Sequence, residues 1–241
     1  MQLNQILERY DHYLQVYTEN LEYLDELPKT LLENSLFLAL FTIFESYLKN
    51  LINLYIESQK GTIKFEDLTK RFAREYLSDK QKQFENFFKK GKDDSLENIK
   101  KIIHEPINEH DFKKLIQFHF LHKDKLENYY PDLFEQIFDN RNILNDLRLE
   151  SKVESRILEE RVSVEASKFL MKFTSEVRNE IAHKNSNFQI TDYSFEDCVN
   201  NFKVIIKTLD KEFKFNKAKF NDLYPITNTV QPENILDQFN G

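Results

Sequence analysis

The stretch "LFLALFTIFESYLKNLI", residues 36–52, decides the fold. From Leu36 to Phe44 every side chain except Thr42 is apolar, so a helix here is apolar nearly all round. Such a helix is normally enclosed by other helices instead of lying on a surface. The apolar run is about half the ~20 residues that a membrane span needs. The reading is therefore a central helix over about 29–58, led in by Pro28, whose fixed φ suits a helix start.

The remaining segments supply its neighbours. Leu3, Ile6, Leu7, Tyr10, Tyr13, Leu14, Tyr17, Leu21 and Leu24 recur at helical spacing and predict a first helix over about 3–26. Further helices are expected over 131–149, 161–183 and 194–213. Residues 61–130 are polar, lysine-rich and broken by Gly61, Gly91 and Pro106, which suits several short helices in an inserted lobe. The expected organisation is all-α. Residues 1–60 and 131–215 form an antiparallel helical bundle, 61–130 an inserted lobe and 216–241 an irregular tail, with Pro225 and Pro232 in it.

Composition narrows the function. Three glycines and no tryptophan leave no phosphate-binding glycine loop, so P-loop and dinucleotide-binding fingerprints are excluded. The one cysteine, Cys198, allows neither an internal disulfide nor a cysteine-type zinc site. The start, "MQLNQILERYDHYLQ", is polar and helical and does not read as a signal peptide, so a cytoplasmic location is expected. The net charge of −7 argues against a broad grip on nucleic acid. It is unevenly spread, however, since residues 60–101 hold 12 Lys/Arg against 8 Asp/Glu. A local basic patch there could guide a phosphate backbone, or simply be a solvated surface of mixed sign.

One short segment carries the chemistry. "EVRNEIAHKN", residues 176–185, places Arg178 and His183 with four residues between them near a helix end. At about 100° per residue, Ala166, Phe169, Leu170, Phe173 and Val177 form one apolar stripe with Ile181 at its edge. Arg178, Asn179, Ala182 and His183 fall on the opposite side. Asn179 lies four residues before His183, close enough to orient the imidazole. Arg178 and His183 diverge too far to pair within one helix, but a second copy packed antiparallel across a two-fold axis would bring both pairs into one cleft. Ala182 is small enough to permit that approach. Two arginines and two histidines would attract phosphate. Histidine can take a proton from a 2′-hydroxyl, and arginine can stabilise charge on the scissile phosphate, with no metal required. An Arg-x4-His spacing is weak by itself, and the bland alternative is a solvated helix end with His183 near the C-terminal dipole.

The run Arg178-Asn179-Glu180-Ile181-Ala182-His183 resembles the R-x4-6-H motif of the HEPN superfamily, in the form with a polar residue after Arg. "LFTIFESYLKNLI", residues 40–52, resembles the early HEPN helix that carries an acidic residue near the active site, with Glu45 at the matching position. "NSNFQITDYSFEDCVNNFKVIIKTLDKEF" is similar to the loop and final helix after the motif. The likeness is greatest to stand-alone prokaryotic RiboL-PSP-type and defence-associated members. It covers the first two helices and residues 161–213, and the 61–130 lobe matches nothing in that pattern. The resemblance implies a homodimeric, cofactor-free, metal-independent endoribonuclease acting as a toxin or antiviral effector. Arg178, His183, Asn179 and Glu45 would form the site, with RNA as substrate and an antitoxin such as a nucleotidyltransferase as a possible partner. Other members of that superfamily bind nucleotides or partners without cleaving, which leaves a non-catalytic helical binding module as the alternative.

Other candidates are weaker. "HEPINEHDFKKLIQFHFLH", residues 104–122, holds four of the six histidines, with His119 and His122 three apart on an expected helix. A zinc or nickel site is conceivable there, but no HExxH arrangement exists, and ordinary half-buried histidines explain the stretch better. Arg141 and Arg148 lie in "DNRNILNDLRLE", read as a polar helix face that could supplement RNA binding. No serine or cysteine has a base nearby in sequence to make a nucleophile.

Overall fold

The computed structural model describes the backbone of residues 3–89, 95–154, 159–178, 181 and 194–223, and the side chains of 3–87, 96–150, 163–175, 181 and 194–214. Helix α1 (Leu3–Asn20) ends in a 3-10 turn, Leu21–Tyr23, and α2 (Glu26–Ser58) starts with Pro28 in its first turn. The central helix is thus present and long. Its open end faces solvent at Leu27 and Leu31, whereas Leu36, Phe37, Leu40, Phe41, Ile43 and Phe44 are buried. α2 is the helix among the described residues that is long and apolar enough to cross a membrane, with a mean hydropathy of 1.3 over its best window. Over half of that window, 56%, is instead buried inside the protein.

Three helices close around it. The Tyr10 hydroxyl donates to the Leu40 carbonyl at 2.9 Å, and that of Tyr17 to Glu33 at 3.1 Å, so α1 runs antiparallel to α2. The last helix, α10 (Phe195–Leu223), stacks Phe202 on Tyr10 and Phe195 on Tyr17. It therefore runs antiparallel to α1 and alongside α2, where the Tyr47 hydroxyl reaches the Ile206 carbonyl at 3.3 Å. Helix α9 (Ala166–Lys172) and the residue that follows it complete the group, with Phe169 and Phe173 both packed on Phe202. Aromatic side chains dominate the seam because each buries a large apolar area and gains further from edge-to-face and offset contacts.

Residues 61–130 contribute to the same hydrophobic core. They form α3 (Lys70–Lys89), α4 (Ser95–His104), α5 (Glu109–Leu115) and α6 (Lys123–Asn128). Ile63, Phe72, Ile107, Phe112, Ile116 and Leu121 are buried in one cluster with α2 and with α7 (Tyr130–Phe138). Gln136 of α7 ties the two parts together. It accepts the Thr69 N–H at 2.7 Å and donates to the Tyr55 hydroxyl at 3.0 Å and to the Asp67 carbonyl at 3.1 Å.

Two expected helices are corrected. The helix expected over 131–149 stops at Phe138, where Asp139 adopts the left-handed conformation (φ 56°), a common helix ending. After a short α8 (Ile143–Asp146), an antiparallel hairpin follows, β1 (Arg148–Glu154) and β2 (Glu159–Glu165). The helix expected over 161–183 therefore begins only at Ala166. The reason is visible in 159–165: Val162 and Val164 alternate with polar neighbours, a period of two, and in the ladder Leu149 stands opposite Val164. The all-α class stands, with this hairpin as its one sheet among the described residues. Helix α10 continues to Leu223, past its expected end at 213. The expected irregular tail from Tyr224 lies outside the described residues.

Candidate functional site

The motif hangs from a deliberate irregularity. Directly after α9, residues Phe173–Arg178 form a π turn, whose i→i+5 hydrogen bonds insert one residue into the helical register. Phe173 is fully buried, stacked on Phe41 at 5.8 Å between centroids and packed against Phe37 at 6.2 Å and Phe202 at 4.9 Å. The buried Thr174 hydroxyl donates to the Leu170 carbonyl at 2.7 Å, a local side-chain bond that competes with the regular ladder. One inserted residue rotates whatever follows by about 100°. Ile181, at the stripe's edge on a regular wheel, would then turn toward the core, and it does pack there half-buried.

Arg178 is the last residue of the π turn. Its side chain, and Asn179, Ala182 and His183 altogether, lie outside the described residues. The flanks are defined. Phe173 before the motif and Phe195 after it are both buried and both contact Phe37 of α2, at 6.2 and 5.0 Å. Just before Phe195 the Ser194 hydroxyl accepts the Asp197 N–H at 3.0 Å, capping α10. The segment carrying Arg178 and His183 is thus tethered at both ends to the N-terminal half of α2.

Two carboxylates of α2 stand at different distances from that tether. Glu33 precedes Phe37 by one turn, about 6 Å along the axis. It accepts the Tyr17 hydroxyl, and Tyr17 stacks on Phe195 at 4.4 Å. Burial first, and then the neighbouring Glu33 carboxylate, push the Tyr17 hydroxyl up to about 12, so it remains a donor at neutral pH. Glu33 was not singled out in the sequence; the signal available was an acid one turn from a fully apolar helix face. Glu45 follows Phe37 by two turns, about 12 Å in the other direction. Its carboxylate accepts the Leu121 N–H at 3.0 Å and lines an open groove of about 570 Å³ between α2 and residues 113–120.

The other candidates resolve into structural roles. His119 and His122 sit on an extended segment before α6, not on a helix, because Gln117 to His122 take non-helical backbone. The His119 ring meets Tyr129 edge-on at 4.5 Å, and burial, then Lys125 and Arg71, hold its pKa below the ordinary histidine value. Among the described residues no group of three His, Cys, Asp or Glu side chains could hold a metal ion. Arg141 is engaged by Asp132 and Glu135, and Arg148 by Glu165 at 3.2 Å. Cys198 is fully buried, and burial raises its thiol pKa, so it is not poised as a nucleophile.

A family model described as RiboL-PSP-HEPN matches residues 2–214, and the match runs through the 61–130 segment as well as the bundle. No curated protein and no solved structure matches the chain.

Proposed function

Because the chain belongs to the RiboL-PSP-HEPN family, whose domains are commonly ribonucleases, we propose that it is a metal-independent endoribonuclease of the toxin or antiviral kind. The observation that carries the reading is the intact Arg178-x4-His183 pair, which starts on the last residue of a π turn anchored by the buried Phe173, in a chain matched by that family. Irregular turns of this type recur at functional positions because they present side chains out of the regular register.

In this reading His183 takes the proton from the substrate's 2′-hydroxyl, and Asn179 orients the imidazole. Arg178 binds the scissile phosphate with its planar fork and stabilises the charge that develops on it. Two copies meet across a two-fold axis so that both motif segments face one cleft. A carboxylate of α2 steadies the set. The sequence assigned Glu45, one turn beyond Phe41, on which Phe173 stacks; Glu33 lies one turn before Phe37. The site is read as working in the cytoplasm, held in check by a cognate antitoxin, with the 61–130 lobe as an insertion into the bundle.

No side chain here is a credible nucleophile, so the 2′-oxygen attacks phosphorus and the 5′-oxygen leaves. The products are a 2′,3′-cyclic phosphate and a 5′-hydroxyl. The test is cleavage of single-stranded RNA in EDTA. We expect activity to persist, to disappear in His183→Ala at unchanged helix content, and to stop at a single 2′-deoxy residue placed 5′ of a cut site. Products with 5′-phosphate ends, or activity restored only by Mg²⁺, overturn the proposal.

A further inference from the structure

The groove beside Glu45 is lined differently from a surface that merely faces water. Ser46, Lys49 and Asn53 stand three and four residues apart on one face of α2 and form one wall. The other wall is the extended segment through Gln117, Phe118 and Phe120, and its backbone is pinned at several points. The Tyr129 hydroxyl donates to the Gln117 carbonyl at 2.7 Å and accepts its N–H at 3.3 Å. The Tyr130 hydroxyl donates to the His119 carbonyl, and Glu45 holds the Leu121 N–H. Phe118 and Phe120 stand two residues apart on this non-helical stretch and meet edge-to-face at 5.6 Å between centroids. Phe120 is 66% exposed, although the chain buries most of its large aromatics.

The charge balance is specific. Lys113 is neutralised by Glu109 at 2.6 Å and Glu57 at 3.4 Å, whereas Lys49 makes no ion pair among the described residues. The groove thus offers aromatic surface at the exposed Phe120 and the half-buried Phe118, amide and hydroxyl groups that donate and accept, and the Lys49 cation beside the Glu45 carboxylate that the Leu121 N–H engages. Flat bases with polar edges, joined by a phosphate, match all three features.

We propose that this groove binds single-stranded RNA, stacking bases on Phe118 and Phe120 and placing one phosphate at Lys49. This rests on the ribonuclease reading and deepens it: Lys49 lies three turns beyond Phe37, about 18 Å along α2. The groove therefore adds a substrate contact on α2 apart from the tether at Phe37. Stacking supplies most of the affinity, so the salt dependence is shallow, with a slope of about −0.7 for the one phosphate.

The test separates binding from cleavage by using a fluorescent all-2′-deoxy 12-mer, which the proposed mechanism cannot cut. Phe120→Ala, a surface change expected to fold normally, should weaken its binding about tenfold or more, and Lys49→Gln should flatten the salt slope. On RNA, Phe120→Ala should raise KM for the 12-mer. A wild-type protein that does not bind the 12-mer, or binds it equally in Phe120→Ala, overturns the groove assignment whatever the nuclease activity. Binding that depends on Phe120 in a protein unable to cut RNA upholds the groove and overturns the nuclease reading. Competition by a basic amphipathic helical peptide but not by RNA would make this a protein-docking site and also overturns the proposal.

Discussion

Replacing Phe173 with alanine should expose how far the motif depends on the core beneath it. The ring is fully buried and contacts Phe37, Phe41, Phe169 and Phe202. Truncating a buried phenylalanine costs about 3–5 kcal/mol, and four aromatic neighbours place this site in the upper part of that range, about 4 kcal/mol. For a chain of this size each kcal/mol shifts Tm by about 2–4 °C. Phe173→Ala should therefore melt about 8–16 °C below wild type, followed by far-UV circular dichroism, with a matching fall in the urea midpoint at unchanged m. Phe173→Leu retains most of the volume and should cost under about 1.5 kcal/mol. Because it removes the stack on Phe41 at the start of the π turn, it should still lower RNA cleavage at temperatures where the protein is fully folded. Phe120→Ala serves as the surface control and should stay within about 0.5 kcal/mol of wild type. A loss of less than about 2 kcal/mol in Phe173→Ala would refute the reasoning, because it would mean that Phe173 is not close-packed and does not anchor the turn.

Gln136→Leu removes the side chain that joins α7 to both Thr69 and Tyr55, leaving partly buried groups without partners. It should cost about 1–3 kcal/mol, measured by urea unfolding, and a neutral result would show that the 61–130 segment is not held through this residue. Stability should also fall in acid through Asp111. Burial alone would raise its pKa, but hydrogen bonds from Lys80 and Asn108 outweigh that and hold it below the ordinary aspartate value. A carboxyl lowered on folding contributes stability that is complete above the unfolded pKa and is lost as pH falls through the folded one. Asp111→Asn should therefore be less stable than wild type at pH 6, and the gap in Tm should close as pH drops below about 4. A gap that stays constant with pH would dismiss the ion pair as its source.

Much of this protein could be read from one dimension. A run of apolar residues from Leu36 to Phe44 that leaves no polar face forces a helix into the centre, whatever its neighbours. The period of Leu3 to Leu24 supplies a helix to cover it. The Arg178 and His183 spacing is a property of the chain, and it is the part of the site legible without a fold. The hairpin at 148–165 was not legible because seven-residue strands offer few repeats of their period, and the charged residues around Val162 and Val164 also suit a helix surface. The π turn at Phe173–Arg178 was hidden for a different reason. It follows from Phe173 filling a space bounded by Phe37, Phe41 and Phe202, residues between 29 and 136 positions away from it in the chain. No local pattern encodes that fit. The groove at Lys49 and Phe120 likewise depends on distant partners: Glu45 holds the backbone of Leu121, 76 residues away, and Tyr129 and Tyr130 hold Gln117 and His119. Apolar periodicity is a one-body property that each segment carries with it; the turn, the tether at Phe37 and the groove are set by close packing between distant segments, which only the assembled core decides.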